Sequence, residues 1–263
     1  MREFFGIDGY QRAPEGYMSW QHLLFVTLLL AVMTAVAVIL GLRNRGKDMK
    51  KAVLPLAVSG IVIDVLELCM IVFRCFREGD PWNWLYSLPL FLCSIPLFTI
   101  PMAAFTRGRL QEASLDFVSI FGILAAVMGT YGAGNNYGTY PVLGIDNVHS
   151  GVTHAIAGFA SLYILIAGIA SMKRKNIWIS FSIITAFCAV AYIADILIPY
   201  NYMFLMRGDG TPYDIVFNLT GGSPVLYPLT VLLMFFAYIA VFYFVFYLTA
   251  GKRRKKAAEQ TAE

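Results

Sequence analysis

The sequence predicts an all-α polytopic membrane protein, a bundle of seven transmembrane helices with its N-terminus outside and its C-terminus inside. Its composition, its apolar runs and the distribution of its lysines and arginines together predict this fold. Of the 263 residues, 59% are hydrophobic and only 14% are charged, which is far from the composition of a soluble domain. Spans of roughly 20 residues fill this length, so we expect no separate soluble catalytic domain.

Apolar runs bounded by charged residues or by Gly, Pro and Asn predict the individual helices. In chain order they cover about residues 20–42, 52–73, 85–105, 115–131, 151–171, 177–199 and 224–249. Residues 1–19 include Glu3, Asp8 and Glu15 and no small-residue cleavage site, so the first helix is predicted to be retained rather than cleaved. Because no repeat or long linker divides the chain, residues 1–263 are predicted to form a single membrane domain.

The basic residues set the predicted orientation. Fifteen of the 20 lysines and arginines follow the first, third, fifth and seventh helices, and five lie on the other side. Short cytoplasmic loops carry such an excess, which places the N-terminus outside. Because the basic residues sort by membrane side, the net charge of +4 does not indicate a nucleic-acid surface, and no nucleic-acid partner is expected.

Ionisable side chains inside the predicted spans are candidates for function because they are costly to bury in a membrane. Asp64 and Glu67 are three residues apart in the second helix, which predicts that both carboxylates share one face. Asp195 lies in the outer part of the sixth helix. The alternative is that these carboxyl groups face the bundle interior and stabilise helix packing.

The three histidines all map to the outer half of the bundle, with His22 in the first helix and His149 and His154 at the start of the fifth. His149 and His154 are five residues apart and do not share a helical face, so the spacing favours neither a metal site nor a haem. A retinal Schiff base is excluded because the last helix has no lysine before Lys252. We therefore expect no metal and no cofactor.

One cysteine has a setting that suits chemistry. The four cysteines have the spacing of neither a zinc site nor a disulfide framework: Cys69, Cys75, Cys93 and Cys188. Cys93 lies in the outer half of the third helix, on the same side as His154, and Pro96 predicts a kink that frees the Leu92 carbonyl. A thiol beside an imidazole forms a nucleophile–base pair. The alternative is that Cys93 is a small packing residue.

Several segments along most of the chain carry a family resemblance. They are Phe4-Phe5-Gly6, Met18-Ser19-Trp20-Gln21-His22, Leu88-Pro89-Leu90-Phe91-Leu92-Cys93, His149-Ser150-Gly151-Val152-Thr153-His154 and Asn201-Tyr202-Met203-Phe204-Leu205. With them the chain resembles the YwaF-like integral membrane proteins, whose eukaryotic relatives include transmembrane protein 164, a glycerophospholipid acyltransferase. The resemblance implies a seven-helix fold, an acyl thioester on Cys93 and His154 as its base. It also matches Glu67 and Asp195 to polar positions of the family.

These observations lead to a first hypothesis, a lipid acyltransferase in the cell membrane, which is the cytoplasmic membrane if the chain is bacterial. Membrane lipids would be its substrates, and Asn201, Tyr202 or His22 would donate hydrogen bonds to the oxyanion. His149, Glu67 and Asp195 would support the site or bind substrate. Two alternatives stay open: a lipid hydrolase or thioesterase with the same Cys/His pair, and a transporter or small-ligand receptor that uses Asp64, Glu67 and Asp195. The oligomeric state is not predicted.

Overall fold

A computed structural model describes the backbone of residues 1–260 and the side chains of residues 1–249. Within residues 1–260 the chain is helical and contains no strand, which confirms the all-α prediction. Six of the described helices are long and apolar enough to cross a membrane. The protein is therefore an integral membrane protein, while the count of seven crossings and the orientation stay predictions. Residues 252–256, which supply part of the charge asymmetry, lie outside the described side chains.

The chain divides into two compact units, Met1–Ser171 and Met172–Glu263. The first unit holds α1 (Arg2–Phe5), α2 (Trp20–Asn44), α3 (Met49–Ala52), α4 (Leu54–Glu78), α5 (Pro96–Phe105), α6 (Gly108–Met128), α7 (Gly134–Thr139) and α8 (Ile145–Ala167). The second unit holds α9 (Ile177–Leu197), α10 (Tyr213–Leu219) and α11 (Leu226–Gln260).

Helix α8 forms the core of the first unit, where it packs against α2, α4 and α6. Small residues let these helices approach closely. A Cβ added to Gly122 of α6 would lie 2.4 Å from the Ala157 carbonyl oxygen of α8, and one on Gly158 would lie 2.6 Å from the Cβ of Ala126. Such contacts between small residues hold helices together in a membrane, where apolar burial gives no drive for association.

The predicted third helix, residues 85–105, is wrong in its first half. The structure has a 3₁₀ turn at Asn83–Tyr86, a second 3₁₀ turn at Leu92–Ser94 and an α-helix only from Pro96. Prolines 89 and 96 supply no N–H to an α-helical ladder, which explains the break. The Leu92 carbonyl is also not free as predicted, because it accepts a hydrogen bond from the N–H of Ile95 at 3.4 Å.

Other helix ends shift by up to eleven residues, with the largest shift at the C-terminal end of α11. Helix α4 continues to Glu78 and is capped by Gly79, whose φ of 64° lies in the left-handed region. Arg74 and Arg77, predicted to lie in a loop, therefore occupy its last two turns. Helix α8 begins at Ile145, so His149 lies inside it rather than before it.

Candidate functional site

Polar side chains line the contact between α4 and α8 in the first unit. We call this set the polar line; its members are Tyr10, Glu67, Arg74, Arg77, Asp146, His149 and His154. It begins where α4 ends and α8 begins, and it continues along both helices. Because an α-helix brings residues three, four and seven apart onto one face, the spacing of Glu67, Arg74 and Arg77 aligns them toward α8.

Asp146 anchors one end of the polar line. Its side chain is 1% exposed, and its carboxylate accepts from Arg77 at 2.6 Å and from Arg74 at 3.2 Å. The hydroxyl of Tyr10 donates to the same carboxylate at 2.9 Å. Burial, followed by the negative charge of Asp146, raises the pKa of Tyr10 to about 12. Sequence reasoning missed Asp146; the signal was a pair of arginines three residues apart at the end of an apolar helix.

Glu67 and His149 form the next contact along the polar line. The Oε2 atom of Glu67 lies 3.4 Å from the Nε2 atom of His149, an ion-pair distance without hydrogen-bond alignment. Asp64, predicted to share a face with Glu67, is exposed, whereas Glu67 is half-buried. Positions three residues apart differ by about 60° around the helix axis, and Asp64 lies on the more exposed side of α4.

His154 is held in one orientation and one tautomer. Its Nδ1 atom lies 2.6 Å from the backbone carbonyl oxygen of Ser150, one turn earlier in α8. A carbonyl oxygen only accepts hydrogen bonds, so Nδ1 of the neutral imidazole carries the proton. The lone pair then sits on Nε2, which leaves that atom able to take a proton from a neighbouring group.

Cys93 is partly buried in the 3₁₀ turn Leu92–Ser94, which packs against α6. The Glu67 carboxylate interacts electrostatically with Cys93 and also with His154. Glu67 is thus the group that the other three have in common, through electrostatic interaction with Cys93 and His154 and through the 3.4 Å contact with His149.

His22 lies elsewhere in the first unit and has both ring nitrogens occupied. Its Nδ1 atom accepts from the N–H of Met18 at 3.2 Å, and its Nε2 atom donates to the Thr130 carbonyl at 3.2 Å. The ring lies against the ring of Tyr137, with 3.8 Å between centroids and 31° between the ring planes, and is fully buried. These contacts support a structural role for His22, because no ring N–H is left for a substrate oxygen.

The remaining candidates belong to the second unit. The N–H of Tyr202 donates to the Oδ1 atom of Asp195 at 2.6 Å. The amide nitrogen of Asn201 donates to the Arg207 carbonyl at 2.8 Å and to the Asp209 carboxylate at 2.7 Å. These bonds fix the loop after α9, so the donors of Asn201 and the backbone donor of Tyr202 are already engaged.

The helices and the site define a class, a polytopic α-helical membrane protein in which a thiol and an imidazole both interact with one carboxylate. Among the described residues, no group of three or more His, Cys, Asp and Glu side chains is placed to hold a metal ion. The chain belongs to the TMEM164 family, whose sequence model matches residues 17–248, and the resemblance to transmembrane protein 164 is confirmed. No curated protein and no solved structure matches the chain.

Proposed function

We propose that this protein is a membrane acyltransferase that moves a fatty acyl chain from a phospholipid to a lipid acceptor through a thioester on Cys93. The observation that carries the proposal is that the Glu67 carboxylate interacts electrostatically with both Cys93 and His154. Membership of the TMEM164 family supports it. The substrates are membrane lipids, and the protein works in the cell membrane, the cytoplasmic membrane in a bacterium.

In the first half-reaction the Cys93 sulfur attacks the carbonyl carbon of an acyl ester while its proton passes to Nε2 of His154. The tetrahedral intermediate collapses, and the ester C–O bond breaks. The leaving lysolipid alkoxide takes the proton back from Nε2. The products are the Cys93 thioester and a neutral lysolipid, and His154 is neutral again.

In the second half-reaction His154 takes the proton from a hydroxyl of the acceptor lipid. The acceptor oxygen attacks the thioester carbonyl, the C–S bond breaks and the proton returns to the thiolate. This step regenerates Cys93 and forms the new ester. If water takes the place of the acceptor lipid, the same residues perform hydrolysis.

The oxyanion of each intermediate needs a hydrogen-bond donor close to the sulfur. The sequence predicts His22, Asn201 or Tyr202 for this role. In the structure Nε2 of His22, the side-chain amide of Asn201 and the backbone N–H of Tyr202 already donate to other groups of the protein. We assign this role instead to the backbone N–H of Cys93, at the start of the apolar helical stretch Leu92–Phe105. In the described part of the chain no backbone carbonyl accepts from that N–H. The position resembles a helix N-terminus, where amide donors stabilise negative charge.

A labelled phospholipid and an unlabelled lysolipid, mixed with the detergent-solubilised protein, test the proposal. We expect label to appear in the new diacyl lipid, and replacing Cys93 by Ser or His154 by Ala to lower the rate by roughly 100-fold or more. Cys69→Ser is the matched control, because Cys69 is exposed on α4.

Full transfer by folded Cys93→Ser or His154→Ala protein would contradict the proposal. Release of free fatty acid without transfer, still dependent on Cys93, would assign the hydrolase alternative. A transporter or receptor would instead lose solute uptake or binding on Glu67→Gln and keep it on Cys93→Ala. Asp64 is exposed, which gives no support to an ion path lined jointly by Asp64 and Glu67.

A further inference from the structure

We infer that Gly129 is a positioning residue: the imidazole of His154 packs against its backbone and is thereby held in place for proton transfer. This inference rests on the proposed function and adds to it the device that orients the base. Gly129 follows α6, one residue after Met128, and makes no chemical contribution of its own. Its contribution is the absence of a side chain.

The geometry at Gly129 is unusually tight. An ideal Cβ built on this residue would lie 1.8 Å from Cδ2, 2.1 Å from Nε2 and 2.4 Å from Cγ of His154. Real Cβ atoms essentially never approach another heavy atom below 3.0 Å. The three nearest atoms all belong to the imidazole, so any side chain at position 129 must displace this ring.

The backbone of Gly129 does not explain why a glycine stands there. Its φ of −79° and ψ of −5° lie in the region that other residues adopt readily. Its N–H donates to the Ala125 carbonyl at 2.8 Å, as the next turn of the helix requires. Alanine at this position is therefore compatible with the local backbone, and the nearest conflict is with the imidazole of His154.

Two contacts together fix the base. The Ser150 carbonyl, which belongs to α8 as His154 does, binds Nδ1. Gly129, at the end of α6, packs against the side of the ring that carries Nε2. An added methyl group forces the ring to rotate, which breaks the Nδ1 bond or moves Nε2 away from its working position. Since proton transfer depends on placement to within a few tenths of an ångström, such a shift is enough to disable the base.

The test measures how fast iodoacetamide alkylates Cys93 in the full-length protein from pH 6 to pH 10, read by mass spectrometry of the Cys93 peptide. The proteins compared are wild type, His154→Ala, Gly129→Ala, Gly41→Ala and Gly138→Ala. A Cβ on Gly41 of α2 would meet the Ile166 side chain of α8, with 2.7 Å to its Cγ2 atom, and a Cβ on Gly138 meets nothing within 4 Å. They are the packing control and the neutral control.

We expect His154→Ala and Gly129→Ala to share one altered pH profile, and both control variants to keep the wild-type profile. In the acyl-transfer assay Gly129→Ala should lose roughly 100-fold, as expected for a displaced general base. A wild-type profile for Gly129→Ala beside an altered one for His154→Ala would overturn the inference and leave the proposed function standing. A wild-type profile for His154→Ala would overturn the thiol–imidazole pair and the role of Gly129 together.

Stability gives a second readout if Gly129→Ala folds poorly. In the His154→Ala background the imidazole is gone, so Gly129→Ala should lower the unfolding temperature much less than it does in the wild type. Equal losses in the two backgrounds would show that the ring is not what meets the methyl group, and would overturn the inference.

Discussion

At the residue scale, hydrogen-bond partners separate the histidines by role. His154 has Nδ1 on a carbonyl and its second nitrogen placed against a glycine, which suits a base. His22 has one nitrogen accepting from a backbone N–H and the other donating to a carbonyl, which suits a structural link between α2 and the segment after α6. The two histidines thus have different roles, and their hydrogen-bond partners rather than the residue type decide the role of each.

Replacing His22 by Ala should destabilise the protein by about 2–4 kcal/mol, because one buried and one partly buried hydrogen bond and the ring contact with Tyr137 are lost. Thermal unfolding in detergent measures the change. Tyr17→Phe is the control, since the Tyr17 hydroxyl bonds the Tyr131 carbonyl at an exposed position. An unchanged unfolding temperature for His22→Ala would refute the structural role.

The sequence identified most of the candidate residues but not their contacts. Cys93, His154 and Glu67 were found because a thiol, an imidazole and a carboxylate are rare inside apolar spans. The choice of His22 and Asn201 as oxyanion donors followed residue type alone, and residue type does not show whether a donor is already bonded. Gly129 had no sequence signal, because its importance depends on a ring that approaches it from another helix.

At the element scale, the α4–α8 pair is held by a buried ion-pair cluster as well as by packing. Asp146 takes part in contacts with two arginines and a tyrosine, and Arg77 also lies over the Phe73 ring at 5.6 Å. Buried charges persist only where partners and hydrogen bonds offset their desolvation. The cluster therefore fixes the register of the two helices that carry Glu67, His149 and His154.

Replacing Asp146 by Asn should cost about 3–5 kcal/mol, because it leaves two arginines without the carboxylate that pairs them. Thermal unfolding again measures the loss. Asp8→Asn is the matched control, since Asp8 and Arg2 form an exposed pair at 3.9 Å and such pairs contribute little. A loss no greater than that of the control would mean that the cluster does not hold α4 and α8 together.

Helix positions were predictable where apolar runs are long, because composition alone identifies a span. The predicted third helix failed at its first half, since an apolar run does not distinguish a helix from buried irregular chain when prolines stand in it. The helical stretch Leu92–Phe105 is about 21 Å long at 1.5 Å per residue, shorter than the roughly 30 Å hydrocarbon core. This break places Cys93 at the beginning of a helix rather than within one.

At the scale of the whole molecule, the chain is an integral membrane protein of the TMEM164 family in two compact units. Cys93, His154, Glu67 and His149 all lie within the first unit. Composition predicted the membrane class, and motifs predicted the family. Three points stay predictions: the number of crossings, the orientation and the single membrane domain formed by residues 1–263.

The most direct test of the central claim is the intact mass of the purified protein after incubation with labelled phospholipid. Wild type is compared with Cys93→Ser, and half of each sample is treated with neutral hydroxylamine, which cleaves thioesters. We predict a fatty-acyl mass increment on the wild type alone, removed by hydroxylamine. The absence of any increment on folded wild-type protein, or an equal increment on Cys93→Ser, would contradict a thioester at Cys93.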